Sequence, residues 1–92
     1  NVKDNSKMSI RVIVEFELRQ ETKEDKKFAT EFKENDGRAI TTIIALLRSK
    51  TAAEVTEPDA PLKIKEEITH QLNKEYHSDV FVETNFKEFI TQ

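Results

Sequence analysis

The sequence predicts an α+β fold in which three main helices pack on one face of a small antiparallel sheet. Between residues 8 and 18, and again after residue 80, apolar side chains recur at every second position, the period of a strand with one buried face. Between these segments they recur every three or four positions, as in amphipathic helices. We therefore expect an N-terminal hairpin and a C-terminal strand to form the sheet.

The first long strand is predicted at residues 8–18, where β-branched and aromatic residues dominate. One face of this strand is apolar and consists of Met8, Ile10, Val12, Val14, Phe16 and Leu18. The opposite face carries Ser9, Arg11, Ile13, Glu15 and Glu17. Residues 1–3, followed by the polar turn 4–7, predict the other half of a hairpin.

The first helix is predicted at about 23–35. Thr22 is a favourable N-cap residue, and acidic residues in the first turn suit the positive end of the helix dipole. Phe28 and Phe32 stand one turn apart on an otherwise charged helix. We expect this helix to lie at the rim of the core, held mainly by two rings.

The second helix follows the only glycine, Gly37, and is expected to begin at the capping residue Asp36 and to run to about Arg48. Its apolar residues have the spacing of a wide buried stripe, made of Ile40, Ile43, Ile44 and Leu47 with Ala39 and Leu46. The pattern predicts that this is the most deeply buried helix and that it lies across the apolar face of the first strand.

A short helical turn is predicted after the capping box Thr51–Glu54, and a proline-containing loop at 57–61 separates it from the third main helix. That helix runs from residue 62 to about 76, with a buried stripe of Ile64, Ile68, Leu72 and Tyr76. The last strand is predicted at 80–91.

The composition narrows the classes of function. Ninety-two residues make a single domain. Fifteen basic and 18 acidic residues are evenly spread, so the chain lacks the basic patch of a nucleic-acid-binding protein. The absence of cysteine excludes disulfides and thiolate chemistry, and a single glycine excludes phosphate-cradling loops. The sequence predicts no cofactor and no small-molecule substrate.

One spacing is typical of metal ligands. Glu67 and His70 stand three residues apart on the third main helix, as the ligands of di-iron or di-manganese bundles do. Such a centre needs a second copy of the motif, whereas the only other histidine is His77. Neither histidine has a partner at a spacing that would orient a catalytic base. We interpret these three residues as surface residues, and a small metal-binding or catalytic domain that uses them is the rival hypothesis.

An apolar patch is possible on the outward face of the sheet. If the even positions of both long strands face the helices, then Ile13, Phe81 and Phe89 point away from the core and are candidates for an oligomer or partner interface. In the alternative, a bulge near Thr84 reverses the parity of the last strand, or single large residues are ordinary surface. The sequence leaves these readings open.

Three segments in order resemble the C-terminal domain of the FliL family of flagellar basal-body-associated proteins. Segment 47–55, L-R-S-K-T-A-A-E-V, is similar to the family's L-x-S-x-T-x-x-E-L. Segment 64–73, I-K-E-E-I-T-H-Q-L-N, resembles its L-K-x-E-I-x-x-x-[IL]-N helix, and segment 86–92, F-K-E-F-I-T-Q, its terminal F-T-x-F-[VI]-x-Q. The resemblance covers nearly all of the chain.

This resemblance implies a non-enzymatic domain on the periplasmic side of the bacterial inner membrane, similar to stomatin-like (SPFH) domains. It implies self-association into a ring and a partnership with the stator units of the flagellar motor. It also implies a membrane anchor before Asn1, and a chain that opens on Asn1 without Met is expected to have been cut from a longer one. The leading hypothesis is a scaffold domain that supports the stator, and an unrelated monomeric binding module is a further possibility.

Overall fold

The computed structural model describes residues 7–92 and confirms the predicted α+β fold, with a two-stranded antiparallel sheet and three long helices in that part of the chain. The elements follow in the order β1 (Ile10–Leu18), α1 (Lys23–Glu34), α2 (Gly37–Arg48), α3 (Ala52–Thr56), α4 (Ala60–Glu75) and β2 (Phe81–Thr91). The predicted strand at 1–3 and the start of its turn lie outside the described residues.

The register of the sheet contains two irregularities, both on β2. Ile13 pairs with Glu88 and Val14 with Phe86, so Lys87 is an extra residue. Val82 is the second extra residue, because Glu17 pairs with Glu83 and Leu18 with Phe81. A bulge of this kind shifts the alternation of a strand by one residue. The helix-facing side of β2 therefore consists of Phe81, Thr84, Phe86, Phe89 and Thr91, opposite the even positions of β1.

Helix α4 is the centre of the molecule. Its stripe of Ala60, Ile64, Ile68 and Leu72 is at most 2% exposed. The helix packs against β2 on one side and against α2 and α3 on the other. Because α4 occupies this position, α2 contacts α4 rather than the sheet.

The prediction that α2 is the most deeply buried helix and lies across β1 is therefore wrong. On α2, Ala39, Ile43 and Leu47 are buried, whereas Ile40 and Ile44 of the predicted stripe are exposed. The spacing of these residues identifies an apolar side of the helix, but it cannot tell how much of that side a neighbouring helix covers. The apolar side of β1 is only half-buried along its length.

An aromatic cluster holds α1, as its narrow stripe predicts. The rings of Phe28 and Phe32 contact those of Phe16, Tyr76 and Phe81, with centroids 5.3 to 6.0 Å apart. Most of these pairs are edge-to-face, the favoured geometry of aromatic rings. The cluster thus joins α1 to both strands and to the C-terminal end of α4.

The helix starts are also as predicted. Thr22 and Asp25 form a capping box at α1, and Thr51 and Glu54 form a second one at α3. Asp36 is the N-cap residue of α2, but its side chain makes no capping hydrogen bond.

Candidate functional site

The sheet has a solvent-facing side, which we call the outward sheet face. It is formed by four residues of β1 and their partners on β2, namely Arg11, Ile13, Glu15 and Glu17 with Ile90, Glu88, Asn85 and Glu83. Ile13 is 44% exposed and Ile90 is 38% exposed. Two aliphatic side chains are thus accessible on a face that is otherwise polar.

Ion pairs surround these two residues. Arg11 Nε lies 3.1 Å from Glu88 Oε2, and Lys87 Nζ lies 2.9 Å from Glu15 Oε1. Surface pairs of this kind stabilise a fold by less than about 1 kcal/mol, but they fix the positions of charges around a patch. Glu17 lies opposite Glu83 and forms no ion pair with another residue of the described part of the chain.

Phe81 and Phe89 do not lie on this face, and the prediction that they point away from the core is wrong. Phe81 is 2% exposed within the aromatic cluster. Phe89 lies opposite Val12 on the helix-facing side, with its ring centroid 5.1 Å from that of Phe86. Of the readings left open for Phe81 and Phe89, a bulge that reverses parity is confirmed, because bulges at positions 82 and 87 flank Thr84. Ile13 is exposed as predicted, since β1 itself contains no extra residue.

Sequence reasoning missed Ile90, which it placed on the same side as Phe86. The bulge residue Lys87 lies between them and reverses the side chain of Ile90 to the outward sheet face. The bulge at Lys87 has no glycine or proline beside it, so the sequence carries no local signal for it.

The three residues of the rival hypothesis do not form a site. Glu67 accepts a hydrogen bond from Lys50 Nζ, whose side chain is 14% exposed. His70 is exposed on α4, and His77 is exposed just after that helix, with a φ of 50°. Among residues 7–92, no three histidine or carboxylate side chains converge so as to hold a metal ion.

A groove of about 550 Å³ runs between α4 and the start of β2, and His70 lines it. The polar groups across this groove bond to one another. Thr69 Oγ1 donates to Thr84 Oγ1 at 2.8 Å, and Lys65 Nζ lies 3.1 Å from Glu83 Oε1. Asn73 bonds to the backbone of Phe81 through both atoms of its amide. These groups join the helix to the strand, so the groove is the seam between two elements.

A buried carboxylate lies at the start of α1. Asp25 is 6% exposed. Its Oδ2 accepts a hydrogen bond from Arg19 Nε at 3.0 Å, and its Oδ1 accepts one from Arg19 Nη2 at 3.1 Å. The backbone N–H groups of Glu21 and Thr22 also donate to it. The hydrogen bonds from Arg19 lower the pKa of Asp25 from 3.8 to about 2, against the opposing effect of burial.

The same guanidinium reaches a second carboxylate, because Arg19 Nη1 donates to Asp79 Oδ1 at 2.8 Å. These bonds raise the pKa of Arg19 above its usual range. One arginine at the end of β1 therefore ties α1 to the loop before β2. We interpret this group as a structural joint, since the Asp25 oxygens already receive several donors.

A comparison with protein-family models matches residues 1–92 to the model described as flagellar basal body-associated protein FliL. The chain belongs to the FliL family. This match confirms the resemblance found from the three segments and gives the chain a flagellar basal-body-associated role. A comparison with curated proteins finds no match.

Residues in the segments that resemble FliL make contacts that hold the helices and β2 together. Lys50 of the first segment pairs with Glu67 of the second, and Thr51 and Glu54 cap α3. Asn73 ends the second segment and holds the edge of β2. None of the helices in residues 7–92 combines the length and the apolar character needed to cross a membrane.

Proposed function

We propose that this chain is a non-enzymatic structural domain that self-associates on the periplasmic side of the inner membrane and supports the stator units of the flagellar motor. Membership of the FliL family supports a place at the basal body. In this proposal the chain is a single SPFH-like domain, and an anchor before Asn1 joins it to the membrane.

The observation that carries the self-association is the outward sheet face. Ile13 and Ile90 are exposed there, and the charged pairs beside them are already formed in the monomer. An apolar centre with a polar rim is the usual anatomy of a protein interface. The interface predicted from the sequence is thus kept at Ile13, while Phe81 and Phe89 contribute to the core instead.

The proposal is tested in flagellated cells. Disulfide-independent chemical cross-linking is expected to capture oligomers of the wild-type protein, and counting of fluorescent stator units at each motor is expected to fall when the protein is deleted. Swimming in viscous medium should slow in the same cells. Deletion that leaves stator number and swimming under load unchanged would contradict the proposal.

The outward sheet face is tested by Ile13→Glu, which places a like charge beside Glu15 and opposite Glu88. Exposed positions tolerate such changes within about 1 kcal/mol, so the variant should fold normally by circular dichroism. Cross-linking and stator recruitment should both fall. Ala53→Glu is the matched control, because Ala53 is exposed on α3, a helix that packs against α4.

A further inference from the structure

Helix α2 carries a second exposed apolar strip. Ile40 is 47% exposed and Ile44 is 44% exposed, and Arg48 follows one turn later. Residues four apart lie on one side of a helix, so these three form a continuous strip, which we call the α2 strip. Helix α2 contains no acidic residue, and Arg48 forms no ion pair with the described residues.

The outward sheet face has the opposite charge. Three of its four glutamates are paired with cations, since Arg11 pairs with Glu88, Lys87 with Glu15 and Lys65 of α4 with Glu83, and Glu17 leaves an excess negative charge beside them. Glu17, which has no ion pair among the described residues, is available to a partner. The two surfaces therefore match, since each has two aliphatic side chains and their excess charges are of opposite sign.

Like surfaces do not match in this way. A symmetric contact between two α2 strips would add two unpaired Arg48 charges and no acidic residue of α2, and a contact between two outward sheet faces would add two unpaired Glu17 charges. Like charges brought together at an interface weaken an association and so exclude wrong pairings.

We propose that copies of this chain associate head to tail, with the α2 strip of one copy bound to the outward sheet face of the next. The inference rests on the proposed self-association and specifies its contact. Helix α4 lies between α2 and the sheet, so the two surfaces belong to different layers of the molecule. Each copy can then bind one neighbour through each surface, which is the arrangement that builds rings or filaments.

The test uses two blocked variants of the chain. Ile44→Glu blocks the α2 strip and leaves the outward sheet face intact, and Ile13→Glu does the reverse. In sedimentation velocity at up to about 1 mM, where weak contacts become populated, wild type should form species larger than a dimer. Each variant alone should remain a monomer, and an equimolar mixture should form a heterodimer that grows no further.

The outcomes separate the two proposals. A wild-type chain that is monomeric throughout this range would remove both the self-association and the head-to-tail contact. Oligomers that only one of the two variants abolishes would keep the self-association but refute the head-to-tail contact, since a symmetric contact uses one surface only. A mixture that does not associate, although each variant is folded by circular dichroism, would refute it as well.

A charge exchange provides a second measurement. Arg48→Glu and Glu17→Arg should each weaken the association about tenfold or more, because each places like charges across the contact. The double variant restores opposite charges between neighbours and should recover most of the wild-type association. Lys74→Glu is the control, since it reverses an exposed charge on α4 outside both surfaces. Failure of the double variant to recover would mean that these two residues do not face each other.

Discussion

At the start of α1, Asp25 combines burial with full ionisation. Its two carboxylate oxygens accept hydrogen bonds from Arg19 and from the backbone N–H groups that precede the helix. Chiefly because of the bonds from Arg19, the pKa of Asp25 is lowered to about 2. A carboxylate whose pKa is lowered in the folded state stabilises the protein above its ordinary pKa and loses that contribution as the pH falls.

We therefore expect Asp25→Asn to flatten the acid limb of the stability curve. The wild-type contribution is fully present above pH 4 or so and is lost as the pH falls from about 4 to 2, between the ordinary and the folded pKa. Urea midpoints measured across this range should fall less steeply in Asp25→Asn than in wild type. At pH 7 the variant should be the less stable of the two, because Arg19 loses the buried one of its two ionic partners and keeps only Asp79.

Glu24→Gln is the control for this experiment, since it removes one exposed carboxylate from the same helical turn without touching Arg19. If Glu24→Gln flattens the acid limb as much as Asp25→Asn does, then net charge, and not the contact with Arg19, governs the loss of stability at low pH.

For single residues, the sequence predicted the interactions between residues that are close to each other along the chain. Thr22, the acidic first turn of α1 and the capping box at Thr51 follow from short spacings and are confirmed. The pairing of Arg19 with Asp79 spans 60 residues and has no local pattern. Only the fold brings these two charges together.

At the level of elements, the edge of β2 is held by the side chain of Asn73. Its Nδ2 donates to the carbonyl of Phe81 and its Oδ1 accepts from the N–H of the same residue, both at 2.9 Å. The amide thereby takes the place that a neighbouring strand would have at this position. One side chain of α4 thus anchors the first residue of β2.

Asn73→Ala should cost about 2 to 4 kcal/mol of unfolding free energy, because it leaves a buried N–H and a buried carbonyl without partners. Chemical denaturation of the purified chain measures the loss. Asn85→Ala is the matched control, since Asn85 is exposed on the same strand and should change the stability by less than about 0.5 kcal/mol. Equal losses in the two variants would show that the amide of Asn73 adds nothing specific.

The identity of the elements could be predicted from the sequence, but their partners could not. Periods of two and of three to four residues identified both strands and the main helices. The period of α2 could not tell whether the sheet or another helix covers it, and α4 covers it. The prediction that Ile40 and Ile44 are core residues is therefore wrong, and both are exposed.

For the whole molecule, the layers of sheet, α4 and α2 follow one another in a body about 44 Å long and about 20 Å across in the described residues. The candidate site was predicted in part. Ile13 was assigned correctly because β1 keeps its alternation throughout, whereas Phe81 and Phe89 were misassigned because β2 does not. Parity is a property of the pairing between strands, and one strand's sequence does not contain it.

The two bulges have a consequence for chain length. Deletion of Lys87 would leave Phe86 and Glu88 adjacent, on the opposite faces that they already occupy. Every other side chain of β2 would keep its side, and only the ion pair with Glu15 would be lost. We expect this one-residue deletion to cost less than about 1 kcal/mol.

Deletion of Asn85 should have a very different effect. Thr84 and Phe86 both face the helices, so joining them directly would turn Phe86 outward and bring Lys87 onto the apolar side. Exposing the partly buried ring of Phe86 and placing a charged side chain among apolar ones should together cost about 3 kcal/mol or more. Thermal unfolding of the two deletions, made two residues apart, should therefore give one near-native protein and one severely destabilised protein. If this holds, single-residue gaps among relatives of this chain should fall at the position of Lys87 and avoid that of Asn85.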